Sequence, residues 1–199
     1  MIEEYKDLAN VYKIIYKWLV VKTPGENPGI ASYKYYDKLA WNIVRELIIK
    51  TEKKENLTNE EREFLRCKYQ GKAYRIIEYN PKNKGHICIT KTYQSCSRDI
   101  EGIKMVPLYG NKLLIELIAI EDTYAIDVFE LLCFMIKNEL IDFNDMQNYN
   151  IKNLERYENE REVVIPMTKN NIVNVSVIDS NGNQIEIIPR EKWFRESLY

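Results

Sequence analysis

The feature that most constrains this chain is a change of hydrophobic period at Gln70-Gly71. Ahead of that point the apolar residues recur at steps of three and four; beyond it they alternate. A helix presents one face every 3.6 residues and a strand every two, so the two patterns bury different structures. Helices that precede strands, rather than alternate with them, argue for an α+β fold and against a parallel doubly wound sheet. With 199 residues, 45% of them hydrophobic, the chain is long enough for one good core, so we expect a single domain over residues 1–199. In that reading a helical lead spans residues 1–70, and a β-rich, mostly antiparallel core spans residues 71–199.

The helical half divides into three. Leu8, Val11, Tyr12, Ile15, Trp18 and Leu19 form an amphipathic stripe that predicts a helix over residues 3 to 21. Thr23-Pro24-Gly25 and Pro28-Gly29 stop it and predict a loop to about Ile30. A second stripe contains Tyr36, Leu39, Ala40, Ile43, Val44, Leu47 and Ile48. The third helix begins at Thr58, whose hydroxyl and the carboxylate of Glu61 three residues on make a capping box, and is expected to reach about Cys67.

In the second half, residues 73 to 79 and 86 to 93 read as strands joined by a turn containing Asn80-Pro81 and Gly85. Residues 112 to 120 read as an apolar strand buried on both faces, and 127 to 137 as a short helix with Val128, Leu131, Leu132, Met135 and Ile136 inward. Residues 142 to 158 are polar and read as loop or weak helix. Residues 162 to 165, 172 to 178 and 184 to 188 are expected strands, the last two joined by the hairpin turn Asp179-Ser180-Asn181-Gly182-Asn183. Trp18, Trp41, Ile43, Leu47, Leu114, Ile118 and Val164 are expected to be buried, with Trp193 a third tryptophan anchor.

Several function classes are disfavoured. Lys plus Arg total 29 against 30 Asp plus Glu, so no net positive field gathers a nucleic acid or an anionic membrane. No apolar run approaches the ~20 residues of a membrane helix. Met1-Ile2-Glu3-Glu4 lacks the basic start of a secretory signal, and Cys67, Cys88, Cys96 and Cys133 are scattered, which suits reduced thiols and a cytoplasmic setting. Zinc would need those dispersed cysteines together with His86, the sole histidine, so no metal is expected. His86 itself reads as a strand or turn residue. Neither of the common glycine-rich phosphate cradles is present.

Three segments carry chemistry. Arg75 stands in an apolar strand after Tyr74; a strand arginine is often a solvent-face residue, but its planar fork also suits a pyrophosphate. Ser95 and Ser97 lie at a strand end in Tyr93-Gln94-Ser95-Cys96-Ser97-Arg98-Asp99, where hydroxyl and Asp residues commonly cap helices. Glu158, Glu160 and Glu162 lead into Val163-Val164-Ile165-Pro166, and period two puts the three on one side if the strand already runs through them. Alone, such a run is most often a solvated strand start.

Taken in order, Tyr74-Arg75, Ser95-Cys96-Ser97 and Glu160-Arg161-Glu162-Val163-Val164-Ile165-Pro166 resemble the signature of the arginine-serine-glutamate class of mono-ADP-ribosyltransferases, a group of toxin, effector and phage enzymes. The resemblance covers residues 71 to 189, and the helices ahead of it resemble those that precede the family's core. The serine segment departs from the more usual Ser-Thr-Ser. The resemblance implies NAD as the cofactor and a macromolecular acceptor, a protein with an arginine side chain. It implies Glu162 as the catalytic carboxylate, Ser95 as the hydroxyl that orients it, and Glu160 as the residue that serves the acceptor. Arg75 would hold the phosphates, with Tyr74, Ser97 and Tyr93 also lining the NAD site. The loop at 142 to 158, with Tyr149 or Tyr157, would meet the acceptor. The rival readings are a non-catalytic phage or mobile-element interaction protein of this fold, and an enzyme that modifies nucleic acid, which a basic channel beside the cleft would reveal.

Overall fold

The computed structural model describes residues 5 to 9, 11, 30 to 81, 93 to 104, 109 to 141, 158 and 161 to 194. Trp18, His86, Cys88, Glu160 and most of the polar segment at 142 to 158 lie outside them. The chain forms two compact units, one of Met1–Lys68 with Ile126–Glu155 and one of Tyr69–Ala125 with Arg156–Tyr199.

The first unit is helical. Residues 6 to 9 and 11 continue the first amphipathic stripe as helix. Helix α1 (Ile30–Glu52) starts where the prolines and glycines end. It buries Ala40, Trp41, Val44, Ile48 and Thr51, while Ile43 and Leu47, expected to be buried, flank that stripe and are half-buried. Helix α2 (Asn59–Phe64) carries the expected capping box: the Glu61 amide donates to Thr58 Oγ1 at 3.2 Å and the Thr58 amide to Glu61 Oε2 at 2.7 Å. It gives way after Phe64 to a tighter 3-10 turn at Leu65–Cys67 rather than continuing as α-helix. Helix α4 (Val128–Lys137) is capped by Asp127, whose Oδ1 accepts the Glu130 amide at 3.1 Å. Tyr5, Phe64 and Phe134 pack with ring centroids 4.7 to 5.3 Å apart. Three buried aromatics of this kind each contribute roughly 2 kcal/mol by leaving water.

The second unit is a sheet. The period switch falls at Gly71, whose φ of +136° is open to glycine alone in practice, and strand β2 (Gly71–Glu78) begins there. Strand β3 (Tyr93–Ser97) follows, then helix α3 (Ile100–Lys104), β4 (Lys112–Ala119), β6 (Glu162–Pro166), β7 (Ile172–Ile178) and β8 (Gln184–Ile187); the short strands β1 (Lys68–Tyr69) and β5 (Ala125–Asp127) sit at the unit boundaries. The six strands lying wholly in this unit are neighbours in the order β6-β3-β2-β4-β7-β8. Every one of those pairings is antiparallel, in line with the α+β expectation.

The strand at residues 112 to 120 was expected to be covered on both faces. Instead Leu113, Ile115, Leu117 and Ala119 join the core with Ala73, Cys96, Val163, Ile165 and Val175, while Leu114 is half-buried and Ile118 is 37% exposed. An antiparallel strand can pack one face, and here Leu114 and Ile118 put apolar residues among Lys112 and Glu116 on the second face, so composition hid the alternation. Lys72 and Glu116 meet on adjacent strands at 2.7 Å, and Lys112 pairs with Glu78 at 2.5 Å. Val164 and Trp193 are buried as expected, the indole donating to the Ile188 carbonyl at 2.7 Å. The 179 to 183 turn joins β7 to β8, with Asp179 Oδ1 accepting the Asn181 and Asn183 amides at 2.8 Å each.

Candidate active site

The full ladder between β2 and β4 sets Arg75 opposite Ile115, in the middle of a strand where a charged side chain needs a partner. On its other side β2 meets β3, among the described residues, at one register pair, Tyr74 with Ser97. There the half-buried Arg75 donates from Nη1 to the main-chain carbonyl of Ser95 at 2.5 Å. The guanidinium thus takes a carbonyl that a regular ladder would have used, and bridges the two strands.

Strand β3 in turn pairs with β6 along its length, from Tyr93 opposite Pro166 to Ser97 opposite Glu162. Ser95 and Ser97 alternate with Cys96, so they share one face of β3 while Cys96 enters the core. On that face Ser95 Oγ donates to Glu162 Oε1. Glu162 opens β6 and is only 3% exposed. A buried carboxylate is costly unless hydrogen-bonded, and here a hydroxyl 67 positions away in sequence supplies a bond. Arg75 is thus tied to the Ser95 main chain, and the Ser95 side chain to Glu162, across three adjacent strands; by register Arg75 lies on the core face with Ile115, whereas Ser97 and Glu162 share the opposite face with Tyr74.

Cys96 senses both Arg75 and Glu162. Its thiol is pushed up to about 12, chiefly by burial, with the Arg75 guanidinium pulling it down and the Glu162 carboxylate pushing it up. It stays a protonated core thiol at neutral pH, so it is no thiolate nucleophile.

The remaining sequence-derived residues occupy different places. Tyr74 is half-buried, beside Ser97 by register. Ser97 Oγ turns into the β3–α3 connection, donating to the Asp99 carbonyl at 2.7 Å and accepting the Asp99 amide at 3.2 Å. Tyr93 lies two residues before Ser95, about 7 Å along the strand, and its hydroxyl donates to the Tyr124 carbonyl at 3.3 Å. Glu160 falls outside the described residues. The alternation expected through Glu158, Glu160 and Glu162 does not hold, because β6 begins only at Glu162 and Arg161 has φ +48°. A left-handed residue breaks period two and costs about 1–2 kcal/mol in a residue with a Cβ.

Arg161 and Asp99 were given no role from sequence. In the structure Arg161 Nη1 pairs with Asp99 Oδ2, and the Arg161 carbonyl accepts the Arg98 amide at 2.9 Å. The only signal was an opposite charge in each of two motif segments, and the left-handed turn that orients them has no signature in an arginine.

The Arg75 guanidinium has further donors that can bind an anion, and the buried Glu162 carboxylate, bonded by the Ser95 hydroxyl, can accept hydrogen bonds or face positive charge. Among the described residues no helix is long and apolar enough to cross a membrane. No protein-family model matches the chain, and no curated protein matches it.

Proposed function

We propose that this chain is an NAD-dependent mono-ADP-ribosyltransferase of the arginine-serine-glutamate class, acting on a protein acceptor and working in the cytoplasm. The observation that carries the reading is the buried Glu162 carboxylate bonded by the Ser95 hydroxyl, with Arg75 bonded to the main chain of that serine, drawn from the three segments that resemble the family. NAD supplies a ribose that takes on positive charge as its bond to nicotinamide breaks. The buried Glu162 carboxylate faces that charge and accepts a hydrogen bond from a ribose hydroxyl, an interaction stronger in the transition state than in the ground state. Ser95 holds the Glu162 rotamer, which keeps the carboxylate aimed without reorganisation. Arg75 binds phosphate. Glu160 takes the proton of the acceptor's nucleophile, a task set first by reach.

The roles separate in one assay that follows nicotinamide release and protein labelling together, with labelled NAD and a cell lysate. Glu160→Gln is expected to lose labelling of the acceptor while keeping part of the slow cleavage by water. Labelling at the wild-type rate in that variant would remove Glu160 from the acceptor step. No nicotinamide release from the wild type with any lysate would favour the non-catalytic interaction protein.

A further inference from the structure

We infer that Asp99 and Arg161 form a clamp that positions Glu162, an inference that rests on the transferase reading for its effect on turnover but not for its effect on geometry. Arg161 immediately precedes β6, and its φ of +48° sets the direction in which the chain enters Glu162. Glycine, asparagine and aspartate adopt that conformation readily, arginine does not, so something outside the residue holds it.

Two contacts do so. The Arg161 carbonyl accepts the Arg98 amide at 2.9 Å, and its guanidinium pairs with Asp99 Oδ2. Asp99 is itself fixed: its main chain is bonded twice to the Ser97 hydroxyl, at 2.7 and 3.2 Å, and its Oδ1 accepts the Glu101 amide at 3.0 Å. Ser97 is the register partner of Glu162. The connections therefore close a ring, from Glu162 to Arg161, across to Asp99, back to Ser97 and across the ladder to Glu162, with the Ser95 hydroxyl bond beside it.

The pair is poorly placed to stabilise the fold, since the Arg161 and Asp99 side chains are 52% and 28% exposed and exposed ion pairs contribute little. Its consequence is positional. A catalytic group displaced by about 1 Å can lose on the order of a hundredfold in rate. Asp99 and Arg161 are positioning residues that touch no reacting atom.

The test uses the full chain with Asp99→Asn, Arg161→Gln, the double variant and Asp99→Glu. Each single neutralisation is expected to lower kcat for nicotinamide release roughly tenfold with KM for NAD unchanged, the double variant to be no slower than the singles, and Asp99→Glu to recover part of the rate. In parallel, the carboxyl carbon resonance of Glu162 is expected to move in both single variants. An unmoved resonance, or an active protein in which kcat holds or the two losses multiply in the double variant, overturns the clamp. A moved resonance in a protein whose wild type releases no nicotinamide supports the clamp and removes the transferase reading.

Discussion

Both compact units bury carboxylates, and they do so for different reasons. In the helical unit Glu61 closes the capping box of α2 and also takes the Lys54 ammonium, while Asp127 caps α4; these partners lie within seven residues in sequence. In the sheet unit Glu162 is bonded to a serine 67 residues away, and Arg75 reaches the carbonyl of that serine across 20. A helix needs its end amides satisfied, so the first two carboxylates are explained by the helices they begin. A strand needs no carboxylate. The contrast teaches that a buried acid bonded at long range is placed by the pairing of strands, where the helical carboxylates are placed by their own helix ends.

Arg75→Lys gives the largest effect among the changes that sharpen this contrast. It keeps the charge and loses the planar fork, so NAD affinity measured by calorimetry should fall about ten- to a hundredfold, with the fold intact. Equal affinity for both proteins would assign the arginine to the sheet alone.

The helical carboxylates should respond only in stability. Thr58→Ala removes one half of the capping box and should cost about 1 kcal/mol in denaturant unfolding, leaving nicotinamide release per folded molecule unchanged. The Lys54 ammonium and then the Thr58 amide hold the Glu61 carboxyl below its ordinary 4.5. A lowered folded value contributes stability that is complete above the ordinary one and is lost as pH falls through the lowered one. Glu61→Gln should therefore melt below the wild type at pH 7, with the gap closing below about pH 4.5. A gap that widens on acidification would mean the carboxylate is not held by its cation.

How far such features were legible depended on whether their cause was local. The capping box at Thr58, the 179 to 183 turn, the switch at Gly71 and most of the α4 stripe were readable, because each follows from residues adjacent in sequence; Ile136, expected inward, is half-buried, and Phe134 is buried in the stripe. The one-sided burial around Ile118 was hidden by an apolar residue on the outer face. The Ser95–Glu162 bond was legible only through the order of three short motifs, since nothing in Ser95 itself points to residue 162. Arg161 was not legible at all: a left-handed arginine is set by tertiary contacts, not by propensity.

The smallest expected effect concerns another positive φ. Glu139 follows α4 with φ +54°, its amide bonded to the Ile136 carbonyl at 3.0 Å and the Leu140 amide to the Met135 carbonyl at 2.9 Å, the arrangement in which helices usually end on glycine. Glu139→Gly should raise stability by about 0.5 kcal/mol, relief of the left-handed cost outweighing the extra freedom of the unfolded chain. Unlike at Arg161, no change in turnover should accompany it; a loss of turnover would break the distinction between a helix end and a site turn.

The central claim, that the buried Glu162 bonded by the Ser95 hydroxyl cleaves the bond to nicotinamide, is tested most directly by nicotinamide release from NAD in the absence of any acceptor. The account predicts slow release by the wild type and a fall on the order of a thousandfold in Glu162→Gln, which removes one charge without altering shape, with NAD binding and melting temperature nearly unchanged. Release at an undiminished rate in Glu162→Gln would contradict it.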